Sequence, residues 1–354
     1  MSESQELQPW PEEWIALATG HVRDVVDQAI EFDRTHRALV VWDGESELSV
    51  GLAAAYRRAL PEAEFLAFDR VPPEAILAAF AQLGAGDLVV LLQSTRFQLT
   101  AFRIRLELFQ RSVRVIEHPH LARMTGREAR VYVDALAYDP AYYRGVGRAL
   151  KARLDAAQEG VVQSGGERLV FPAGFEDAKL NVGDYTGMAN VGGQYPIGEV
   201  FTESRALEAV HGRVCIDLFG DMQFTVHRPE RPITLVVEQG RVVQALDSTP
   251  IFDEVLTSIR ADEGQVWLRE LGLGMNRAFS PERTVRDVGS FERMCGVHLS
   301  LGGKHVVYSK PEIHKKHVRQ HVDVFVATED VLIDGQSIFR AGAWTIPPVG
   351  WASS

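Results

Sequence analysis

Between residues 35 and 120 short apolar runs alternate with segments of helical periodicity. "RALVVWDG", "AEFLAFD", "DLVVLLQS" and "VRVIEHP" are continuous apolar runs of strand length, the kind buried on both faces of a parallel sheet. "SELSVGLAAAYRRAL" has helical spacing and many alanines. "PPEAILAAFAQLG" opens on proline and closes on glycine, a helix start and stop. This alternation predicts βα units around a parallel sheet. Residues 139–158 predict one connecting helix, and "QSGGERLVF" a linker feeding a strand. We therefore expect an α/β N-terminal domain over residues 1–163.

The pattern changes in the second half. "RVCIDLFG", "MQFTVHRP", "PITLVVEQGRVVQAL" and "HVDVFVATEDVLIDGQSIFRAG" alternate or are β-rich, with Glu-Gln-Gly and Ile-Asp-Gly turn signals. One helix, "IFDEVLTSIRADEG", interrupts them. This predicts an α+β domain with a mostly antiparallel sheet over residues 164–354. A nucleotide site is not indicated. The first βα junction, "WDGESELSVG", lacks the glycines that let a backbone approach pyrophosphate. The Gly-x-Gly of "YRGVGRAL" follows no clear strand and reads as a helix start.

Length and composition narrow the classes further. A chain of 354 residues suits two domains. The formal charge of −11 counts against a general nucleic-acid binder, which needs a basic face, though a local basic patch is compatible with an acidic total. Two cysteines, Cys215 and Cys295, form no CxxC pair, which argues against a disulfide scaffold or zinc ribbon and suits a reducing compartment. The polar, acidic N-terminus reads as no signal peptide, and no apolar run reaches the roughly 20 residues of a membrane helix. The expected location is the cytoplasm, with no nucleic-acid or membrane partner.

Five of the eleven histidines lie between residues 298 and 321. His314 and His317, in the basic "KPEIHKKHVRQ", read as a solvated face. In "HVDVFV" the strand period sends His321, Asp323 and Phe325 to one face and three valines to the other. The imidazole and carboxylate then stand roughly 6 to 7 Å apart at the Cα. A cation between them offsets the cost of burying a charge; an edge strand facing water would explain them equally. Glu199 in "YPIGEVFTES", Glu270 in "VWLRELGLGMN" and His298 in "RMCGVHLSLGG" are further ionisable groups in apolar or glycine-rich settings. Together they make a shared pocket the favoured explanation.

Four segments in order, "GEVFTES", "ADEGQVWLRELGLG", "MCGVHLSLGG" and "HVDVFVATEDVLIDG", resemble the M29 metallo-aminopeptidases of the aminopeptidase T and aminopeptidase S type. The resemblance covers the C-terminal half; the N-terminal half matches in βα character only. It implies a metal-dependent hydrolase that releases N-terminal residues from a peptide or small-molecule substrate. It implies metal ligands at Glu199, Glu270, His298, His321 and Asp323, and catalytic roles for Glu199 and His305. One or two divalent ions would be held, and nitrogen and oxygen donors suit zinc, cobalt or manganese. The family has paired glutamates before Val-Phe-Thr, where this chain has Gly198-Glu199. It continues Ala-Pro, where this chain has Glu203-Ser204, and it has a tyrosine at the place of His305. Tyr308 is the nearest tyrosine.

Two alternatives remain open. His321-x-Asp323 and "ELGLGMN" also resemble stretches of a ring-cleaving dioxygenase acting on dihydroxypyridine, whose fold is similar to that of the aminopeptidase family. Glu270 stands where that enzyme has a histidine, and His298, His321 and Asp323 would suit Fe(II) as a two-His-one-carboxylate face. A catalytically inactive peptide-binding or accessory protein would keep the groove without turnover. The aminopeptidase resemblance also implies a homodimer. Light scattering at micromolar concentration should give twice the chain mass, and a monomer mass would refute the expectation.

Overall fold

A computed structural model describes residues 10–99, 104–314 and 316–350. The first nine residues, part of the segment read above for a signal peptide, lie outside the described residues. The chain forms an α/β unit, residues 1–140 with 183–197, and an α+β unit, residues 141–182 with 198–354.

In the α/β unit the four apolar runs form the strands Ala38–Trp42, Glu64–Ala67, Leu88–Leu92 and Arg114–His118, all parallel. Leu88–Leu92 is wholly buried, as a continuous apolar run requires. Helices Glu47–Ala59 and Pro73–Ala81 follow the first two strands. The first is capped by Ser46, whose side chain accepts from Ser49 N. Leu39, Val41, Val89, Leu91 and Val115 pack with Ile76 and Phe80 in one core cluster.

A fifth strand, Gly192–Gln194, pairs in parallel with Val115–Glu117. It was not expected, because three residues rich in glycine carry no apolar signal. Gly192 is required there: its φ is +106°, and a Cβ would meet the Val115 carbonyl oxygen at 1.9 Å.

The expected boundary at 163/164 is corrected. Strand Gly160–Ser164 pairs with Asp330–Ile333 and with Glu167–Phe171, so a cut there would split a ladder of the second unit. Helix Pro140–Ala156 belongs with that unit from Ala141 onward. Its Gly147 lies so close to Val182 that a Cβ would come within 2.9 Å of it. "QSGGERLVF" is a hairpin, not a linker, with Gly165 and Gly166 at its turn.

The second unit is built on a 14-stranded sheet. Its predicted helix is Pro250–Glu263, with Thr249 capping the Phe252 amide and Gly264 in the left-handed region at its end. Five strands of this sheet lie side by side: Val322–Val326, Gly296–Leu301, Leu268–Gly274, Glu199–Glu203 and Lys179–Asn181, in that spatial order and antiparallel throughout. Among the described residues no helix is long and apolar enough to cross a membrane.

One buried polar group anchors the α/β unit. His118 is fully buried, with Nε2 2.9 Å from Tyr56 Oη and Nδ1 2.9 Å from Tyr132 Oη. Tyr132 donates its own proton to the Tyr195 carbonyl, so it accepts from His118 Nδ1–H, and Tyr56 donates to Nε2. Burial pulls the imidazole down from 6.5 to about 3, and it stays neutral. The native state therefore binds fewer protons than the unfolded chain below pH 6.5. Its contribution to stability is full above that pH and is lost as pH falls toward 3, by up to about 1.4 kcal/mol per pH unit. His118→Gln should flatten that slope in urea denaturation series between pH 7 and 4; an unchanged slope would contradict the assignment.

Candidate metal centre

Four of the five strands each bring one ionisable side chain to a common face. Glu199, Glu270, His298 and Asp323 are 5%, 7%, 1% and 6% exposed. One ligand atom each from Glu199, Glu270 and His298 lie within 4.8 Å of one another. His298 Nε2 is 3.1 Å from Glu199 Oε1 and 3.3 Å from Glu270 Oε1.

Two glycines lie on this face. Gly272 is the register partner of His298, and Gly274 that of Glu199. Glu270, Gly272 and Gly274 share a face by the strand period. A Cβ on Gly272 would meet the His298 ring at 2.0 Å. Gly272 thus leaves room for the imidazole, while Gly274 lets the Met294 backbone pass close by, where a Cβ would meet its carbonyl oxygen at 1.8 Å.

A β-bulge supplies Glu270. Between Leu268↔Leu301 and Leu271↔Leu299, residues 269 and 270 oppose Ser300 alone. Ser300 Oγ accepts from the Glu270 amide at 3.1 Å. The bulge lets both neighbours act on one face. Glu270 turns to His298, while Arg269 reaches Glu203, the register partner of Glu270, at 2.6 Å.

His305 fixes the other oxygen of Glu270. Its Nδ1 accepts from the Val307 and Tyr308 amides at 3.1 and 3.3 Å, so the proton of the neutral ring sits on Nε2. Nε2–H donates to Glu270 Oε2 at 2.9 Å. Residues 303–308 are a loop, and the Tyr308 hydroxyl donates to the Asp177 carbonyl at 2.7 Å.

His321 and Asp323 do lie on one side, 3.2 Å apart, but they form a pair beside the three-residue group. The His321 ring centre is 6.3 Å from that of His305. Burial lowers the His321 pKa, but the Asp323 charge outweighs it and holds the ring up at about 10. Burial would likewise raise Glu270 and lower His298. The hydrogen bonds and charges between them and their neighbours win, leaving Glu270 well below and His298 well above its usual range. Among the described residues, His298, His321 and Asp323 do not form a compact three-ligand face; the compact group is Glu199, Glu270 and His298. His314 and His317 are exposed.

The departures at 198 and 203 have structural causes. Gly198 has φ +121°, and a Cβ there would strike the Tyr143 ring at 2.6 Å. A glutamate at this position would clash. Glu203 is fully buried and pairs with Arg269, with Lys310 Nζ 3.9 Å away. Lys310 also bonds Glu176 and the Ser204 carbonyl. Arg269 further donates to the carbonyls of Gly303 and Tyr308, so this cluster holds the loop that carries His305.

Arg293 was not expected. It is 6% exposed, and its Nη1 lies 3.1 Å from Glu199 Oε2 and in contact with Glu292. Asn181, with its amide oxygen turned toward Arg293, accepts from Nη2 at 3.2 Å and Nε at 3.3 Å. The only sequence signal was a lone arginine in "FERMCG", just ahead of the His298 strand.

The donor set fits one divalent cation: two carboxylate oxygens and an imidazole nitrogen converge over a floor emptied by glycine. A cleft of about 400 Å³ adjoins it, lined by Phe201, Phe224, Glu270, Lys304, His305 and Arg319 among others.

No family model matches the sequence, and no curated protein matches it. Among solved structures, wild-type AmpT from Thermus thermophilus is similar over 94% of this chain and 99% of its own, at 16% identity and a TM-score of 0.56. The similarity supports an M29-like fold for the chain.

The buried ion cluster makes a direct prediction. Glu203→Ala leaves Arg269 without its carboxylate and should cost about 3–5 kcal/mol in guanidinium denaturation. A loss below about 1 kcal/mol, the scale of an exposed pair, would show that the cluster is not what holds the 303–310 loop.

Proposed function

We propose that the chain is a metal-dependent hydrolase of the aminopeptidase type, acting on short peptides with an apolar residue beside the scissile bond. The observation that carries this is the meeting of Glu199, Glu270 and His298 at the edge of an apolar cleft. The fold shared with AmpT supports it.

Glu199, Glu270 and His298 would hold the cation. When bound, such an ion polarises a carbonyl and acidifies a water molecule. The rest falls to the chain's own groups. Phe201, Phe224, Val306 and Val307 offer apolar surface to a substrate side chain, and Phe224 and Val306 are 54% and 92% exposed. Lys304 and Arg319 supply positive charge for a peptide carboxylate. His305 positions Glu270 through Nε2–H and has no free nitrogen for a base role. Glu199 would take a proton at the reacting centre only with its Oε2 turned away from Arg293. Roles for His321 and Asp323 as ligands would require their pair to open.

A second reading, a peptide-binding or accessory protein without turnover, is favoured by the Arg293–Glu199 pair, which occupies one oxygen of the carboxylate that would act as base.

Titration with zinc, cobalt or manganese should show uptake by calorimetry. Glu270→Ala should weaken it by more than about 100-fold, beyond what an outer-shell change produces. Leucyl anilide should be hydrolysed by the metal-loaded protein. Metal uptake with no amine release would favour the binding protein, and no uptake would reject the hydrolase.

A further inference from the structure

Each of the two site carboxylates turns one oxygen to the common point and the other to a protein donor. Glu199 Oε1 faces His298, and its Oε2 faces Arg293 Nη1 at 3.1 Å. Glu270 Oε1 faces His298, and its Oε2 accepts from His305 at 2.9 Å. Two ions bridged by carboxylates need both oxygens of at least one of them. Here both second oxygens are engaged, one by a guanidinium that stays charged at any accessible pH.

Arg293 is built in rather than incidental. It is buried, and Asn181 fixes its Nε and Nη2 from the strand beside Glu199. Its Nη1 is buried and makes no hydrogen bond, although it lies within ion-pair range of Glu199. A permanent cation at this distance also repels a divalent ion that would seek the same oxygen. Of the other candidate donors, Glu292 is held by the same Nη1, and His321 and Asp323 are paired with each other.

We infer that Arg293 is a resident substitute for a second metal ion: the centre accepts no more than one divalent cation, and the guanidinium supplies positive charge at the Glu199 Oε2 side. This rests on the metal-binding reading above, and its test is arranged to fail separately.

The experiment counts ions. Full-length wild type, Arg293→Met and Arg293→Lys are dialysed to equilibrium against excess zinc or manganese and analysed for metal per chain. Arg293→Met, which keeps bulk and loses charge, should hold one more ion than wild type. Arg293→Lys, which keeps the charge, should match wild type. Two ions in wild type, or a folded Arg293→Met that holds no more than wild type, would overturn the inference.

Melting with and without metal covers a variant that folds poorly. Metal should raise the melting temperature of Arg293→Met by more than it raises that of wild type, because the ion replaces the missing charge. An Arg293→Met that metal does not rescue would also overturn it. A wild type that binds no ion rejects the hydrolase reading alone, since the difference between Arg293→Met and wild type still decides the role of Arg293.

Discussion

A charge taken out of water must be matched inside the protein, and that constraint organises the whole central part of the large sheet. Glu199, Glu270 and Glu203 are buried within two adjacent strands. Each is answered from a different element: Glu199 by Arg293 and His298, Glu270 by His298 and His305, Glu203 by Arg269 and Lys310. Removing any one of these partners would leave a buried acid facing a single group. The network also explains why a loop, residues 303–310, is ordered over the site. Its backbone carbonyls and its lysine are held by the same ion cluster that neutralises Glu203.

Such a network divides what sequence patterning reveals from what it hides. The α/β unit was legible because its strands are short apolar runs and one of its helices starts on Pro73 and stops before Gly84. Burial decides those elements, and burial is written in residue type. The Gly192–Gln194 strand was hidden because its place is set by close backbone approach, not by side chains. The domain boundary was misplaced for a related reason. The Gly160–Ser164 strand looks local but finds its partner at Asp330–Ile333, far along the chain.

At the centre, alternation correctly placed His321 and Asp323 together, and isolated ionisable residues in glycine-rich settings marked Glu199, Glu270 and His298. What alternation cannot register is a bulge. Residues 269 and 270 oppose a single residue, so Arg269 and Glu270 serve the same face although a regular strand would send them apart. Arg293 was hidden because its strand-flanking position has no period at all. The likeness in fold to AmpT does not resolve these points either, because a fold fixes where strands run and leaves the chemistry to the side chains.

The glycine at 198 and the arginine at 293 belong to one adjustment. With φ at +121° and Tyr143 against it, residue 198 cannot present a carboxylate to the centre. One acid fewer leaves less negative charge to hold metal, and a guanidinium beside Glu199 lowers it again. Both changes move the centre in the same direction, toward fewer bound cations. The remaining acids stay buried, each within ion-pair range of a named cationic or imidazole group. The acids of this pocket and the cations facing them thus sit together beside an apolar cleft.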